Sequence, residues 1–243
     1  MRIPRIFTGQ ALQADSSVDL EPGPSHHIAR VLRMQVGDAL VLFNGGGGEY
    51  PATIDHLGKT QVVVTTGCHD PREVESPLAV HLGIAVSRGD RMDWVIQKAT
   101  ELGVSAITPL FTERTEVKLR GERADKKVSH WQQVAISACE QCGRNRVPRI
   151  EALTWLQPWL GLCNGEVKLV LHHRATNGPE LPTAPSTASL LAGPEGGLSE
   201  GEIGQAETAG FCSLKLGPRV LRTETAPLAA LTHLQSRWGD LRP

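Results

Sequence analysis

A chain of 243 residues with 40% hydrophobic and 21% charged residues holds enough apolar material for one large core or two smaller ones. A net charge of −1 excludes a globally basic nucleic-acid binder, so any surface for an anionic partner must be local, and with 4% aromatics base-stacking platforms are scarce. Five cysteines, odd in number and scattered, speak against a disulfide framework, and neither an apolar export segment nor a run of membrane-spanning length is present, so a cytoplasmic protein with no membrane partner is expected.

Residues 1–70 read as a small β-rich unit. Val18–Leu20 is a short extended stretch, and His26–Leu32 is long enough for a helical turn or two. Gly37-Asp38 then introduces the apolar strand Ala39–Phe43. Asn44 and the four glycines Gly45–Gly48 form the turn to a second strand, Tyr50–Ile54, and Gln61–Thr65 closes the unit. The glycine run is followed by neither a Lys-Ser/Thr pair nor a helix, so it reads as a hairpin loop rather than a phosphate cradle. The polar stretch 71–77, bounded by prolines, has the composition of a linker.

From residue 78 the pattern alternates strand and helix. Val80–Val86 is a strand ended by Ser87-Arg88-Gly89-Asp90. Met92, Val95, Ile96, Ala99 and Leu102 then recur at helical spacing, stopped by Gly103. Val104–Leu110 is a second strand. A long helix over about 123–142 carries the stripe Val128, Trp131, Val134, Ala135 and Ala138. Val167–Leu171, Leu190–Ala192 and Ser213–Leu216 supply three further strands, and the alternation predicts an α/β domain with a mostly parallel sheet over 78–243. Cys139 and Cys142 form a CxxC inside the long helix. With no second pair to complete a metal site, they read as two ordinary helix cysteines. Between Thr112 and Ile150 nine basic residues face five acids. The stretch fits either a solvated helix face or a surface for RNA phosphates.

The last two strands each end in a Gly-Pro pair and a loop that leads into a helical pattern, an arrangement that builds ligand sites at strand carboxyl ends. Neither loop carries a P-loop or a dinucleotide fingerprint, so the ligand expected is nucleoside-like, held by backbone groups. Ser199 and Glu202 have capping-box spacing. Glu195, Arg219, Arg222 and Glu224 are left over, with Thr223 or Thr225 capping the last helix and Pro227 in its first turn.

Leu191-Ala-Gly-Pro-Glu-Gly-Gly-Leu-Ser199 and Leu216-Gly-Pro-Arg-Val-Leu-Arg-Thr-Glu-Thr-Ala226 together resemble the ribosomal RNA small subunit methyltransferase E family of the SPOUT class. The likeness extends to Gln97–Val104, Glu140–Arg144 and Arg2–Phe7 and so spans nearly the whole chain. It implies a SPOUT-type domain with a trefoil knot over about 189–238, preceded by a PUA-like RNA-binding β-barrel. It also implies S-adenosyl-L-methionine as methyl donor, a homodimer, and methylation of N3 of a uridine in small-subunit rRNA. Carried onto matching positions, the cofactor contacts are Leu171, His172, Gly193, Glu195, Gly196, Leu216, Leu221 and Arg222. Because uracil N3 holds a proton, a base or anion stabiliser is needed. Arg222 is expected at the carbonyl oxygen and Glu195 or Glu224 at the proton, with His172 a further base candidate. RNA contacts are expected from Arg2, Arg5, Arg114, Arg144 and Arg146. The rival readings are a SPOUT enzyme acting on tRNA or on a ribose 2′-hydroxyl, and a non-catalytic ribosome-assembly protein.

Overall fold

The computed structural model describes residues 3–58, 61–175 and 184–242. The chain forms two compact units, one built from Met1–Glu75 and Cys139–Val147, the other from Ser76–Ala138 and Pro148–Pro243.

The first unit contains β1 (Arg5–Phe7), β2 (Ser17–Asp19), α1 (Pro22–His26), β3 (Ala39–Phe43), β4 (Tyr50–Leu57) and β5 (Val62–Thr66). Between α1 and β3 the expected helical turn is a π-helix, His27–Leu32, stopped by Arg33 in the left-handed conformation. The strands pair in the order β1-β3-β4-β5-β2, antiparallel except that β1 runs parallel to β3. The β3–β4 hairpin turns over Gly45–Gly48 as its composition predicts. Alternation along β4 and β5 sends Ala52, Ile54, Val62 and Val64 into one core with Ile6, Leu40, Leu42 and Ile28.

Two expected boundaries shift. The stretch 71–77 is not a free linker along its length. Arg72 donates to Glu49 at 2.9 Å, Glu73 accepts the Gly48 N–H at 2.7 Å, and Glu75 pairs with Arg144 at 2.6 Å, so the first unit runs to Glu75. Cys139–Val147, expected in the second domain, belongs to the first unit. The Asn145 side chain donates to the Arg72 carbonyl at 2.7 Å and accepts from the Arg5 guanidinium.

The second unit contains β6 (Ala79–Ala85), α2 (Arg91–Glu101), β7 (Val104–Phe111), most of α3 (Glu122–Cys142), β8 (Arg149–Ile150), β9 (Thr154–Trp155) and α4 (Leu156–Leu162). It continues with β10 (Val167–Leu171), β11 (Thr187–Ala192), α5 (Glu200–Thr208), β12 (Cys212–Leu214) and α6 (Ala226–Trp238). All seven strands are parallel, ordered β12-β10-β11-β6-β7-β8 with β9 also on β7. β6 and β11 lie in the middle, and Val80, Leu82, Ile84, Leu190 and Leu191 are fully buried, as near-continuous apolar strands of a parallel sheet should be. The α2 stripe Met92, Val95, Ile96 and Ala99 is buried, and the α3 stripe buries Trp131, Ala135 and Ala138. Because β12 pairs with β10 rather than with its sequence neighbour β11, the carboxyl ends of β10, β11 and β12 are gathered at one edge of the sheet. Among the described residues no helix is long and apolar enough to cross a membrane.

Candidate active site

The loops that leave β10, β11 and β12 enclose a cavity of about 270 Å³. The β11 loop is shaped by local chemistry. Gly197 donates its N–H to the Pro194 carbonyl at 2.8 Å in a tight turn, and Gly197 itself has φ +68°, which favours glycine. A Cβ on Gly193 would meet Leu198 at 2.9 Å, so only glycine lets the loop fold back on its start. The capping box expected from Ser199 and Glu202 is present in both directions. Buried Glu202 does more than cap: its other oxygen accepts the Glu113 N–H at 2.8 Å and ties the turn after β7 to the start of α5. Thr225 takes the N-cap position of α6 without a side-chain cap bond, and Pro227 lies in the first turn.

Seven of the eight expected cofactor residues line this cavity: Leu171, His172, Gly193, Glu195, Gly196, Leu216 and Leu221. The eighth, Arg222, lines an open cleft of about 1060 Å³ with Glu224 and Trp94. Glu195, Val220, Leu221 and Thr223 form part of both, so the two spaces share a wall. The Arg222 side chain is exposed, and its guanidinium has no hydrogen-bond or ion-pair partner among the described residues.

Glu195 is not free in the same sense. Its Oε1 accepts from Arg91 Nη1 at 2.7 Å and from the Arg88 N–H at 3.3 Å, and Arg91 Nε lies 3.9 Å from Glu224 Oε2. Partial burial pushes the Glu195 carboxyl up. Its own backbone N–H, the Arg88 N–H and the Arg91 guanidinium outweigh that and hold it below the ordinary carboxylate range. Arg88 and Arg91 were missed in the sequence, where Ser87–Asp90 reads as a strand end. The signal was two arginines just past the carboxyl end of a strand that neighbours β11 in a parallel sheet.

The expected RNA contacts separate. Arg2 lies outside the described residues. Arg5 and Arg144 are corrected: both are buried, Arg5 against Glu49 and Asn145 and Arg144 against Glu75, so neither guanidinium can reach a phosphate without breaking a buried pair. Arg114 lines the cavity, donating to the Gly196 carbonyl at 2.8 Å, and thus holds the glycine loop from outside. Arg146 alone of the described four keeps its side chain largely exposed without a contact shorter than 3.8 Å, that one to Glu73 Oε1.

An RNA methyltransferase domain family matches residues 74–235, and an RNA methyltransferase PUA domain family matches residues 25–66. The chain is 39% identical to a ribosomal RNA small subunit methyltransferase E of Buchnera aphidicola, over 99% of this chain and 98% of that one. Two solved structures superpose over nearly the whole chain. A Legionella pneumophila protein described as a methyltransferase, with S-adenosylmethionine bound, is 42% identical with a TM-score of 0.96, covering 99% of this chain and 100% of that one. A Neisseria gonorrhoeae ribosomal RNA small subunit methyltransferase E bound to S-adenosylmethionine is 40% identical with a TM-score of 0.94, at the same coverage.

Proposed function

The chain belongs to the ribosomal RNA small subunit methyltransferase E family, and on that premise we propose that it transfers the methyl group of S-adenosylmethionine to N3 of a uridine in 16S (small-subunit) rRNA. The observation that carries this reading is the pair of adjoining spaces at the strand ends, one a glycine-lined cavity and the other an open cleft ending at an unpaired arginine. The cavity fits the donor. Its lining includes Gly193, Gly196, Gly197 and Gly217 with Leu171, Leu214 and Leu216, alongside polar side chains such as His172, Arg174 and Arg219, and no P-loop or dinucleotide motif is present to hold a phosphate chain.

When bound, S-adenosylmethionine supplies a methyl group on a sulfonium that is already a good leaving group. The chain's own work is alignment and charge control. Leu221 and Thr223, in the wall common to cavity and cleft, position the base against the donor. The proton on uracil N3 must leave as the new C–N bond forms, and negative charge gathers on the neighbouring carbonyl oxygens. Arg222 stabilises that charge. Glu195, held ionised by Arg88 and Arg91, is a poor proton acceptor and acts as an anchor for the loop. In this reading Glu224, which lines the cleft 3.9 Å from Arg91, receives the proton.

The rest of the proposal is a cytoplasmic homodimer whose segment of about 189–238 is threaded as a trefoil knot. The crossing of β12 past β11 to pair with β10 supports the threading. Mass spectrometry of small-subunit rRNA from a strain lacking the protein tests the function: loss of one N3-methyluridine is expected. Loss of a tRNA or ribose methyl instead, or unchanged RNA, would overturn it.

A further inference from the structure

Three of the five tryptophans, Trp131, Trp159 and Trp238, are buried in the second unit, as large apolar side chains should be. Trp94 is not: on α2 it lies off the buried stripe of Met92, Val95, Ile96 and Ala99 and is 53% exposed. Trp155 is also exposed but lines neither the cavity nor the cleft, whereas Trp94 is the tryptophan of the cleft. Lys98 Nζ lies over its ring, 5.2 Å from the centroid, and is itself paired with Glu101 at 2.8 Å, so the indole is braced on one side.

The charges of the cleft do not account for the indole. Arg88 is paired with Glu116 at 2.7 Å and Arg91 with Glu195 at 2.7 Å, which leaves Arg222 as the arginine without a partner among the described residues. A cleft whose remaining acids and bases are matched, with one exposed indole and the unpaired Arg222 and Asp90 of opposite charge among the described residues, suits a flat, mostly neutral, hydrogen-bonding ring better than a phosphate. Its shared wall with the cofactor cavity decides which ring. An acceptor base has to reach the donor from the side that is open, and the cleft is the open space that adjoins.

We propose that Trp94 is a stacking platform for a nucleobase of the substrate RNA, holding it in the cleft beside Arg222. This rests on the methyltransferase reading given above. Stacking on an aromatic face is the usual way single-stranded bases are held once splayed from the RNA. Face contact from the indole and edge contact from Arg222 together fix the plane and the rotation of the base, which in-line methyl transfer requires.

Two measurements on the full-length protein test it. In turnover with small-subunit RNA, Trp94→Ala raises KM about tenfold or more, the loss of one stacked base, while calorimetric affinity for S-adenosylmethionine stays at the wild-type value and Trp94→Phe restores most of the RNA affinity. In a titration with a uridine-rich oligonucleotide, tryptophan fluorescence is quenched in the wild type, and the quench is lost in Trp94→Phe. A wild-type KM and an unchanged quench would overturn the proposal. So would a loss of activity that accompanies dissociation in sedimentation and is recovered at high enzyme concentration, which would make a second copy of the chain the occupant of this face. The quench is read without turnover: quenching with no RNA methylation by the wild type would sink the methyltransferase reading and leave Trp94 as an RNA contact.

Discussion

Each unit carries a cluster of carboxylates and arginines, Glu49 between two arginines in the first and Arg91 between two carboxylates in the second, and the two differ in what surrounds them. In the first, Glu49 accepts from Arg5 and Arg72, with side-chain exposures of 12%, 7% and 39%, and Arg5 goes on to Asn145. Arg5 Nε is buried with no partner among the described residues, a cost carried by a packed structural cluster. In the second, Glu195 and Glu224 flank Arg91 with exposures of 36%, 25% and 42%, on the walls of two open spaces. The same ion pairing therefore serves burial in one place and access in the other. What singles out the second as the proposed site is not the shifted carboxyl, since burial raises both Glu49 and Glu195, and hydrogen bonds, from Arg72 and Arg5 to one and from backbone N–H groups and Arg91 to the other, lower both. It is the neighbouring unpaired Arg222 and the cavity beside it.

The comparison makes predictions that fall in order of size. Glu49→Ala strands the buried Arg5 and should lower stability by about 3–5 kcal/mol, read as a denaturant midpoint, with cofactor affinity in the surviving folded fraction unchanged. A stable variant with weakened cofactor binding would show that the first cluster is not merely structural. Arg222→Ala should do the reverse: turnover falls about 100- to 1000-fold, as for loss of one preorganised donor, with the melting temperature within a degree or so of wild type. Near-normal turnover in a folded variant removes Arg222 from the chemistry. Arg114→Ala releases the Gly196 carbonyl and is expected to weaken S-adenosylmethionine binding about tenfold, with Arg114→Lys recovering part of it. If the variant instead changes only the salt dependence of RNA binding, Arg114 belongs to the RNA footprint.

The smallest effect is on pH. His81 Nε2 accepts from Trp159 Nε1 at 3.4 Å and lies 2.7 Å from Thr108 Oγ1. Burial lowers its pKa below 6.5, with Arg149 adding to the shift and Glu151 opposing it. The unfolded chain then binds more protons than the fold between that lowered value and 6.5. This contribution to stability is therefore complete above pH 6.5 and lost as pH falls through the folded pKa. A stability profile measured over that window should flatten in His81→Phe, and an unchanged slope would assign the pH dependence to another group.

Much of the fold was legible because it is local. The glycine turn between β3 and β4, the helical stripe of α2 and the Ser199–Glu202 capping box each lie within a few residues, and each formed as its local pattern predicted. β8, β9 and α4 were not legible, since strands of two residues have no period to read and a seven-residue helix barely one. At the site, the glycine loop was legible in its motif, and seven of the eight residues that the family resemblance assigned to the cofactor line the cavity. The basic stretch after residue 112 did not resolve in sequence, because a guanidinium carries the same charge whether it is buried against Glu75, as in Arg144, or strapped to a loop carbonyl, as in Arg114.

By itself, the sequence determined most of the longer strands and helices, where two loops of unusual composition lie, and which side chains in them have no capping role. Those properties depend on neighbours three or four positions away at most. Only the tertiary structure decided that Arg91 meets Glu195 across 104 residues, that Arg5 and Arg144 are buried, and that Trp94 is exposed and lines the same cleft as Arg222. Partners so far apart in the chain are chosen by the order in which the parallel strands assemble. No local pattern records that order.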